Sequence, residues 1–399
     1  MQFRILYTYI LLLLMAGIMI SACQNTETDH RESPGKKAVL YLGRIDALPV
    51  TYKSPADNPS SPEKIELGRL LFYDPILSGG KDVACASCHH PEFGYAESLD
   101  LSIGVNGTGL GEKRKFNSNN DIPFTKRNAQ SLLNTAFNGI NEDGDYSPEH
   151  APMFWDLRAS SLEEQAFMPV KTMEEMRGHG FTEENIDGEI VRRINQIPKY
   201  RDLFKHVFEN EDSAVTDKNI SKALAAFERS LLANNSSFDK FMRGDESAYS
   251  SSEKDGMQLF ISTGCARCHN GPMLSDFKTH VLGVADNEKR PQSDSGYHGT
   301  YAFRTPSLRN LRFTRPFMHD GKLQTLEDVL SFYEDLHGKD IPNHHVKREQ
   351  VDSLALMMTV DFKNINAIVE FLNTLNDGDY DKKIPASVPS GLPVGGKIK

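Results

Sequence analysis

The sequence predicts a mainly α-helical protein, because apolar residues recur at helical spacing in six segments and no segment shows sustained β alternation. A further helix should begin at Ser61 and Pro62, which have the order of an N-cap followed by proline at the first helical position. Two long loops rich in Gly and Asn, residues 104–120 and 138–150, lie between the helices. The six segments are 162–168, 184–197, 217–233, 251–263, 326–336 and 362–375.

A short motif that occurs twice indicates an internal duplication. Residues 85–89 read Cys-Ala-Ser-Cys-His, and residues 265–269 read Cys-Ala-Arg-Cys-His. The stretches ahead of them are also alike, since residues 68–72 read Gly-Arg-Leu-Leu-Phe and residues 256–260 read Gly-Met-Gln-Leu-Phe. Self-similarity of this kind is typical of repeated structural units. We therefore predict two related domains, one for each motif.

The repeated motif matches the attachment pattern of c-type haem. Its two thiols add to the vinyl groups of one haem, and the adjacent His becomes the proximal ligand of the iron. A redox dithiol does not need that His, and a zinc site would need a second pair nearby, whereas these pairs lie far apart. The prediction is two cytochrome c-like helical haem domains with two covalent haems. The attachment residues are Cys85, Cys88, Cys265 and Cys268, and the proximal ligands are His89 and His269.

The N-terminus has the pattern of a bacterial lipoprotein signal. Arg4 is followed by an apolar run that is short for a helix crossing ~30 Å of hydrocarbon. The run ends in Ile-Ser-Ala-Cys, which resembles the lipobox, so Cys23 is the predicted lipidation site. An uncleaved apolar anchor, or a plain signal with a stray Cys, is the alternative. We therefore expect an exported protein on the periplasmic side of the envelope, held by a lipid anchor.

The 399 residues suffice for two domains. Hydrophobic and charged contents of 39% and 25% are typical of soluble domains, and the net charge of −10 argues against a nucleic-acid partner. Polar residues after the lipobox indicate a flexible tether, and Pro and Gly near the C-terminus predict disorder. The predicted segments are a signal peptide (1–23), a tether (24–40), an N-terminal haem domain (41–212), a C-terminal haem domain (213–384) and a disordered tail (385–399).

Six short motifs, taken in order, resemble those of the bacterial di-haem cytochrome c peroxidases. That family includes a relative from methylamine metabolism, which oxidises a protein substrate to mature a tryptophylquinone cofactor. The resemblance extends from about residue 63 to about residue 375. The motifs are Leu-Ser-Gly-Gly at 77–80, Arg-Asn-Ala-x-Ser-Leu at 127–132, Phe-Trp-Asp-Leu-Arg at 154–158, Leu-Glu-Glu-Gln-Ala at 162–166, Thr-Pro-Ser-Leu-Arg-Asn at 305–310 and Pro-Phe-Met-His-Asp-Gly at 316–321.

The resemblance implies reduction of H₂O₂ to water with electrons from a periplasmic c-type cytochrome or another small redox protein. The N-terminal haem would react with peroxide, and the C-terminal haem would pass electrons to it. Splitting the O–O bond needs a group that moves a proton from one oxygen to the other, and the resemblance gives that role to Glu163. Glu164 is the alternative, because adjacent helical positions diverge by about 100°.

Two rival functions remain open from the sequence. The first is oxidation of a partner protein or organic substrate through a high-valent haem state. The second is electron transfer by a di-haem cytochrome without catalysis. Glu163 beside an unligated first haem argues against pure electron transfer, which prefers two strong axial ligands on each iron.

The chain departs from the family pattern around the first haem. Many relatives carry a ligating His in the loop after Ser-Ile-Gly, but here Val105 stands in that place, which implies an open distal position. His179 is a poor substitute, because we expect it in a surface loop. Met153 replaces a Gln that is common before Phe-Trp-Asp. The family's bridging Trp has no candidate, because Trp155 of that motif is the only Trp in the chain.

The resemblance also assigns groups near the second haem and between the domains. Tyr333 stands in the slot of an axial Met, and tyrosinate is a known haem ligand. Met318 is the alternative ligand, and a buried core Tyr is the structural alternative. His319 would lie near a haem propionate, and the family is often dimeric. A Ca²⁺ ion, which prefers oxygen ligands, would be held by Asn128, Thr314 and Pro316.

Overall fold

The computed structural model describes residues 42–209, 213–338 and 340–399. Cys23, the signal peptide and the tether lie outside these residues. Within them, no helix combines the length and the apolar character needed to cross a membrane. The helices, in chain order, are α1 (Pro62–Phe72), α2 (Cys85–Cys88), α3 (Leu162–Gln165), α4 (Met168–Lys171), α5 (Ile186–Asn195), α6 (Pro198–Val207), α7 (Asp217–Arg229), α8 (Ser237–Met242), α9 (Ser251–Ser262), α10 (Leu326–Asp335), α11 (Ser353–Leu356) and α12 (Ile365–Thr374).

The mainly helical prediction is confirmed. The described strands form two short antiparallel pairs, β1 (Gly107–Thr108) with β2 (Lys115–Phe116) and β3 (Thr279–Val281) with β4 (Ala302–Arg304). Helix α1 begins as predicted, because the Ser61 hydroxyl accepts a hydrogen bond from the Lys64 amide at 3.2 Å. The segment predicted over 162–168 is divided into α3 and α4, and α2, α6, α8 and α11 were not foreseen.

Two helix crossings place the haem motifs, and each depends on a glycine of the repeated sequence. A Cβ atom on Gly68 would lie 2.0 Å from the Ala223 carbonyl oxygen, so only glycine allows α1 to approach α7 so closely. In the same way, a Cβ atom on Gly256 would lie 2.1 Å from the Ala367 carbonyl oxygen, where α9 crosses α12. Each haem motif therefore follows a helix that crosses its neighbour at a similarly close distance. The duplication itself stays a prediction.

The chain ends do not follow the predicted segments. The expected disorder of residues 385–399 is wrong, because this tail packs on the first motif. Its Val388 is buried in the core around α1 and α7, the Gly395 amide donates to the Tyr73 carbonyl at 2.7 Å, and the Ser87 hydroxyl donates to the Gly395 carbonyl at 2.8 Å. These backbone groups find partners only when the tail is ordered.

The N-terminal residues of the described chain likewise pack on the second motif, far from it in sequence. Ile45 packs in the core around α9 and α12, and the Gly271 amide donates to the Arg44 carbonyl at 2.6 Å. Helix α7, which the predicted boundary at 212/213 assigns to the second domain, packs in the first core. Residues 42–399 form one compact unit. The division into two domains therefore stays a prediction. The N-terminal residues pack in the core around α9 and α12, and the C-terminal tail packs in the core around α1 and α7.

Candidate haem-binding site

A cavity of about 700 Å³ contains both repeated motifs. All four attachment cysteines are free of disulfides, so their sulfur atoms are available for thioether bonds. The lining is more apolar than polar in residue type, as a haem requires, with a few polar groups that converge on the same space. The motif residues in this lining are Cys85, Cys88, His89, Cys265, Cys268 and His269.

The two predicted proximal ligands are held in the same way. The Nδ1 atom of His89 lies 3.0 Å from the Tyr95 carbonyl oxygen, and that of His269 lies 2.9 Å from the Leu274 carbonyl oxygen. A carbonyl partner makes Nδ1 the donor and leaves the Nε2 lone pair for iron. Burial lowers the pKa of both rings, which keeps them neutral as a metal ligand must be. The residues of both motifs therefore fit haem.

Glu163, the predicted acid–base group, is not brought to this cavity. Its carboxylate accepts from Nη2 of the buried Arg229 at 2.8 and 2.9 Å, and from Nδ2 of Asn58 at 2.7 Å. Glu164, the alternative, accepts from the amide and hydroxyl of Ser160, both at 2.8 Å. Neither residue is among the described residues that line the cavity. The physical reason is that both carboxylates already have hydrogen-bond donors outside the cavity lining. Arg229 binds Glu163, and Ser160, ahead of α3, binds Glu164.

A different carboxyl group faces the first motif. Glu175 lines the cavity, lies in a single π-helical turn (Met173–Arg177), and acts electrostatically on both Cys85 and Cys88. Burial raises its pKa to about 7. Gln165 also lines the cavity, and its buried Oε1 atom has no partner in the described chain. Helical periodicity could not find Glu175, because a π-turn does not follow it.

The loop of Val105 packs on that same turn. The Val105 amide donates to the Glu174 carbonyl at 3.2 Å, and a Cβ atom on Gly178 would lie 3.3 Å from Cγ1 of Val105. His179 has a side chain that is 59% exposed and pairs with Asp121 at 3.4 Å. Within the described chain, neither Val105 nor His179 lines the cavity.

Both predicted ligands for the second haem lie in the cavity. Tyr333 is presented by α10, whose N-terminus is capped by Thr325, and Met318 precedes the same helix. Burial raises the pKa of Tyr333 well above its usual value. The choice between the two residues stays a prediction.

The remaining predicted groups line the same cavity. His319 stacks on Phe303 with ring centres 3.7 Å apart, and burial lowers its pKa to about 3. The Trp155 Nε1 atom donates to the Asn128 carbonyl at 3.0 Å, which fixes the indole in the wall that both motifs share. Asn128, Thr314 and Pro316, the residues predicted to bind Ca²⁺, also line the cavity, and the Ca²⁺ site stays a prediction.

Comparisons with known proteins identify the family. Residues 62–247 match the family model described as di-haem cytochrome c peroxidase. The chain is 33% identical to a methylamine utilization protein MauG of Methylorubrum extorquens, over 79% of this chain and 80% of that protein. It is 30% identical to a cytochrome c551 peroxidase of Nitrosomonas europaea, over 84% of this chain and 86% of that protein.

A solved structure agrees. The crystal structure of a MauG-like protein associated with microbial copper homeostasis matches with a TM-score of 0.65 and 26% identity, over 83% of this chain and 95% of that one. The chain belongs to the di-haem cytochrome c peroxidase family. It is a di-haem peroxidase, an oxidoreductase whose family carries two c-type haems.

Proposed function

We propose that this chain reduces H₂O₂ to water in the half of the cavity next to His89, with electrons that enter in the half next to His269. The observation that carries the proposal is Glu175, a carboxyl group beside the first haem motif. A haem bound at these motifs would supply the redox-active iron and the electrons that peroxide reduction requires. Each H₂O₂ takes up two electrons and two protons and yields two water molecules.

Glu175 takes the proton from one peroxide oxygen and gives it to the oxygen that leaves as water. A pKa of about 7 makes both protonation states available near neutral pH. The Gln165 amide lies in the same cavity with a buried oxygen that no described group binds, so it can orient peroxide by hydrogen bonding. Glu163 has a structural role in this proposal, as the partner of the Arg229 guanidinium.

The distal position of the first haem receives no protein ligand in this proposal. Val105 cannot bind iron and contacts Gly178, and the exposed His179 pairs with Asp121. Relatives with a His at the Val105 position must first be reduced at the second haem. This protein should therefore react with H₂O₂ in its fully oxidised form.

We further propose that Tyr333 is the axial ligand opposite His269, with Met318 as the alternative. The slot of Tyr333 on α10 and its place in the cavity lining support this assignment. An anionic oxygen ligand favours the oxidised iron, which would tune the second haem differently from a Met ligand.

Oxidation of a partner protein is the second candidate function. Two points favour it: the family resemblance implies that the methylamine-pathway relative also has a Tyr in the slot of Tyr333, and the chain is 33% identical to a MauG protein. The first candidate is supported by the relative named cytochrome c551 peroxidase, whose name indicates a small cytochrome as its electron donor. The two candidates differ in the substrate that gives up electrons.

The proposal also covers the location of the enzyme, its oligomeric state and a Ca²⁺ site. The signal pattern supports export to the periplasmic side of the envelope and lipidation at Cys23, and the family supports a homodimer. A Ca²⁺ ion would be bound through the Asn128 side chain and the carbonyls of Thr314 and Pro316, which all line the cavity. All of these ligands are oxygen atoms, as Ca²⁺ prefers.

One experiment tests the proposed function. The fully oxidised protein is mixed with H₂O₂ without reductant while its optical spectrum is recorded, and turnover is then measured with a reduced c-type cytochrome. We expect an immediate spectral change in the first step and H₂O₂-dependent cytochrome oxidation in the second. A protein that is inert until it has been reduced would contradict the open distal position. Rapid spectral change without cytochrome oxidation would favour the second candidate.

A further inference from the structure

Arg304 is buried between the two haem motifs. It ends β4, is 6% exposed and lines the cavity. Its Nε atom donates to the Phe154 carbonyl at 2.9 Å, and its Nη2 atom donates to Gln130 Oε1 at 3.1 Å. The backbone of Gln130 makes a hydrogen-bond contact with the His89 ring. The backbone of Pro306, two residues beyond Arg304, makes the same kind of contact with the His269 ring. The guanidinium therefore lies where the two haem sites meet.

All hydrogen-bond partners of this guanidinium are neutral, as are those of the buried Arg114 and Arg267, but of these three only Arg304 lines the cavity. No carboxylate in the described chain forms an ion pair with Arg304, and burial lowers its pKa to about 10 without any acid to oppose the shift. A buried charge without a counter-ion is strongly unfavourable. The comparable arginines with carboxylate partners are Arg229 with Glu163 at 2.8 Å, Arg309 with Asp239 at 2.9 Å and Arg127 with Asp294 at 2.6 Å.

We propose that Arg304 binds a haem propionate at the boundary between the two haem sites and supplies its counter-charge. Each haem carries two propionates, which are the anions that this cavity must accommodate. The planar guanidinium matches a carboxylate in a bidentate geometry, and its Nη1 atom has no partner among the described residues. The role depends only on haem binding and does not rest on peroxide turnover.

A cation beside a haem favours the reduced iron, because the reduced centre carries less positive charge. Arg304 should therefore raise the midpoint potential of the haem whose propionate it binds. Its removal should lower that potential, whereas a lysine, which keeps the charge, should preserve most of it. Lysine presents point-like donors in place of the guanidinium fork, so the propionate contact itself should still change.

The test uses the holoprotein and the variants Arg304→Gln, Arg304→Lys and Arg158→Gln. Arg158 is the matched control, because it lines the same cavity but already pairs with Asp156 at 2.7 Å. Haem content is counted by pyridine haemochrome, and the midpoint potential of each haem is measured by spectroelectrochemistry. We expect Arg304→Gln to lower the midpoint potential of one haem by ~59 mV. For a one-electron couple, this shift is a tenfold change in the oxidised-to-reduced ratio.

A shift in Arg304→Gln that is no larger than in Arg158→Gln, with both haems present, would overturn the proposal. If Arg304→Gln does not fold, Arg304→Lys decides through resonance Raman spectroscopy. A changed propionate bending mode in Arg304→Lys supports the contact, and an unchanged mode refutes it. Loss of peroxide turnover with unchanged potentials would bear on the catalytic site and would still refute this role.

Discussion

The two halves of the haem cavity hold their motifs alike and line them differently. In both, the proximal His is oriented by a backbone carbonyl, and a glycine crossing precedes the motif. The first half adds ionisable and amide groups, Glu174, Glu175, Glu228 and Gln165, to the lining. The second half adds Met318, Leu330, Tyr333 and Met358, and also the ionisable His280 and Asp352. Similar motif geometry therefore accompanies different linings, with Glu175 beside the first motif and Tyr333 beside the second.

The difference arises from short segments rather than from the long helices. Glu175 belongs to the π-turn that follows α4, and Tyr333 belongs to α10. The crossings of α1 with α7 and of α9 with α12 are nearly the same in their close approach. A change of loop therefore alters the chemistry of one haem site while the scaffold stays the same.

The largest effect should come from Glu175→Gln, which keeps the shape of the side chain but cannot accept the proton. We expect peroxide turnover to fall by at least ~10²-fold, the usual scale of acid–base assistance, with both haems retained. Glu163→Gln is the control. It should leave turnover nearly intact and lower the free energy of unfolding by about 1–3 kcal/mol, because it weakens the contact with Arg229. The opposite pattern would return the catalytic role to Glu163.

Removal of residues 387–399 should damage the first half more than the second. The tail buries Val388 and donates a hydrogen bond to the Tyr73 carbonyl, so its loss should lower the free energy of unfolding by about 2 kcal/mol. Urea unfolding gives the stability, and the optical spectrum shows which haem is disturbed. Ile384→Ala, at an exposed position, is the control. An unchanged midpoint would mean that the tail contributes no stability in solution.

The pH dependence of turnover tests whether Glu175 in the first half controls proton transfer. Glu175 must first accept a proton, so its ionised form is active and turnover should rise by about tenfold from pH 6 to pH 8, around its pKa of about 7. Arg158 and Lys126 favour the ionised form, and Glu174 opposes it. The step should vanish in Glu175→Gln. A step near pH 8 that persists would point to Glu228, whose pKa burial raises to about 8.

The smallest effect on turnover should come from Tyr333→Met, because this change affects the second half alone. Electron paramagnetic resonance of the oxidised protein should lose the low-spin signal typical of His/Tyr ligation and keep the high-spin signal of the first haem. Met318→Leu should leave both signals in place. If Met318→Leu removes the low-spin signal and Tyr333→Met does not, Met318 is the ligand. Two low-spin haems at rest would mean that another residue binds the first iron.

The features that could be predicted from the sequence are those that depend on neighbouring residues alone. The Cys-x-x-Cys-His spacing, the cap at Ser61 and the helical periodicity are short-range patterns, and the family and the mainly helical fold followed from them. The sequence did not predict the destination of side chains that meet distant partners. Glu163 lies away from the cavity because Arg229, 66 residues along the chain, binds it. Similarly, the tail appears polar and rich in Pro and Gly, yet it is held by Tyr73 and Ser87.

The sequence by itself therefore determined the two haem-attachment motifs and the histidine predicted to bind each iron, because thioether spacing and the adjacent ligand are properties of five consecutive residues. Only the tertiary structure decided that Glu175 lies beside the first motif, that Gln165 and Trp155 line the same cavity, and that Arg304 is buried without an acidic partner. Burial and long-range pairing give these groups their roles, and neither property is encoded in local sequence.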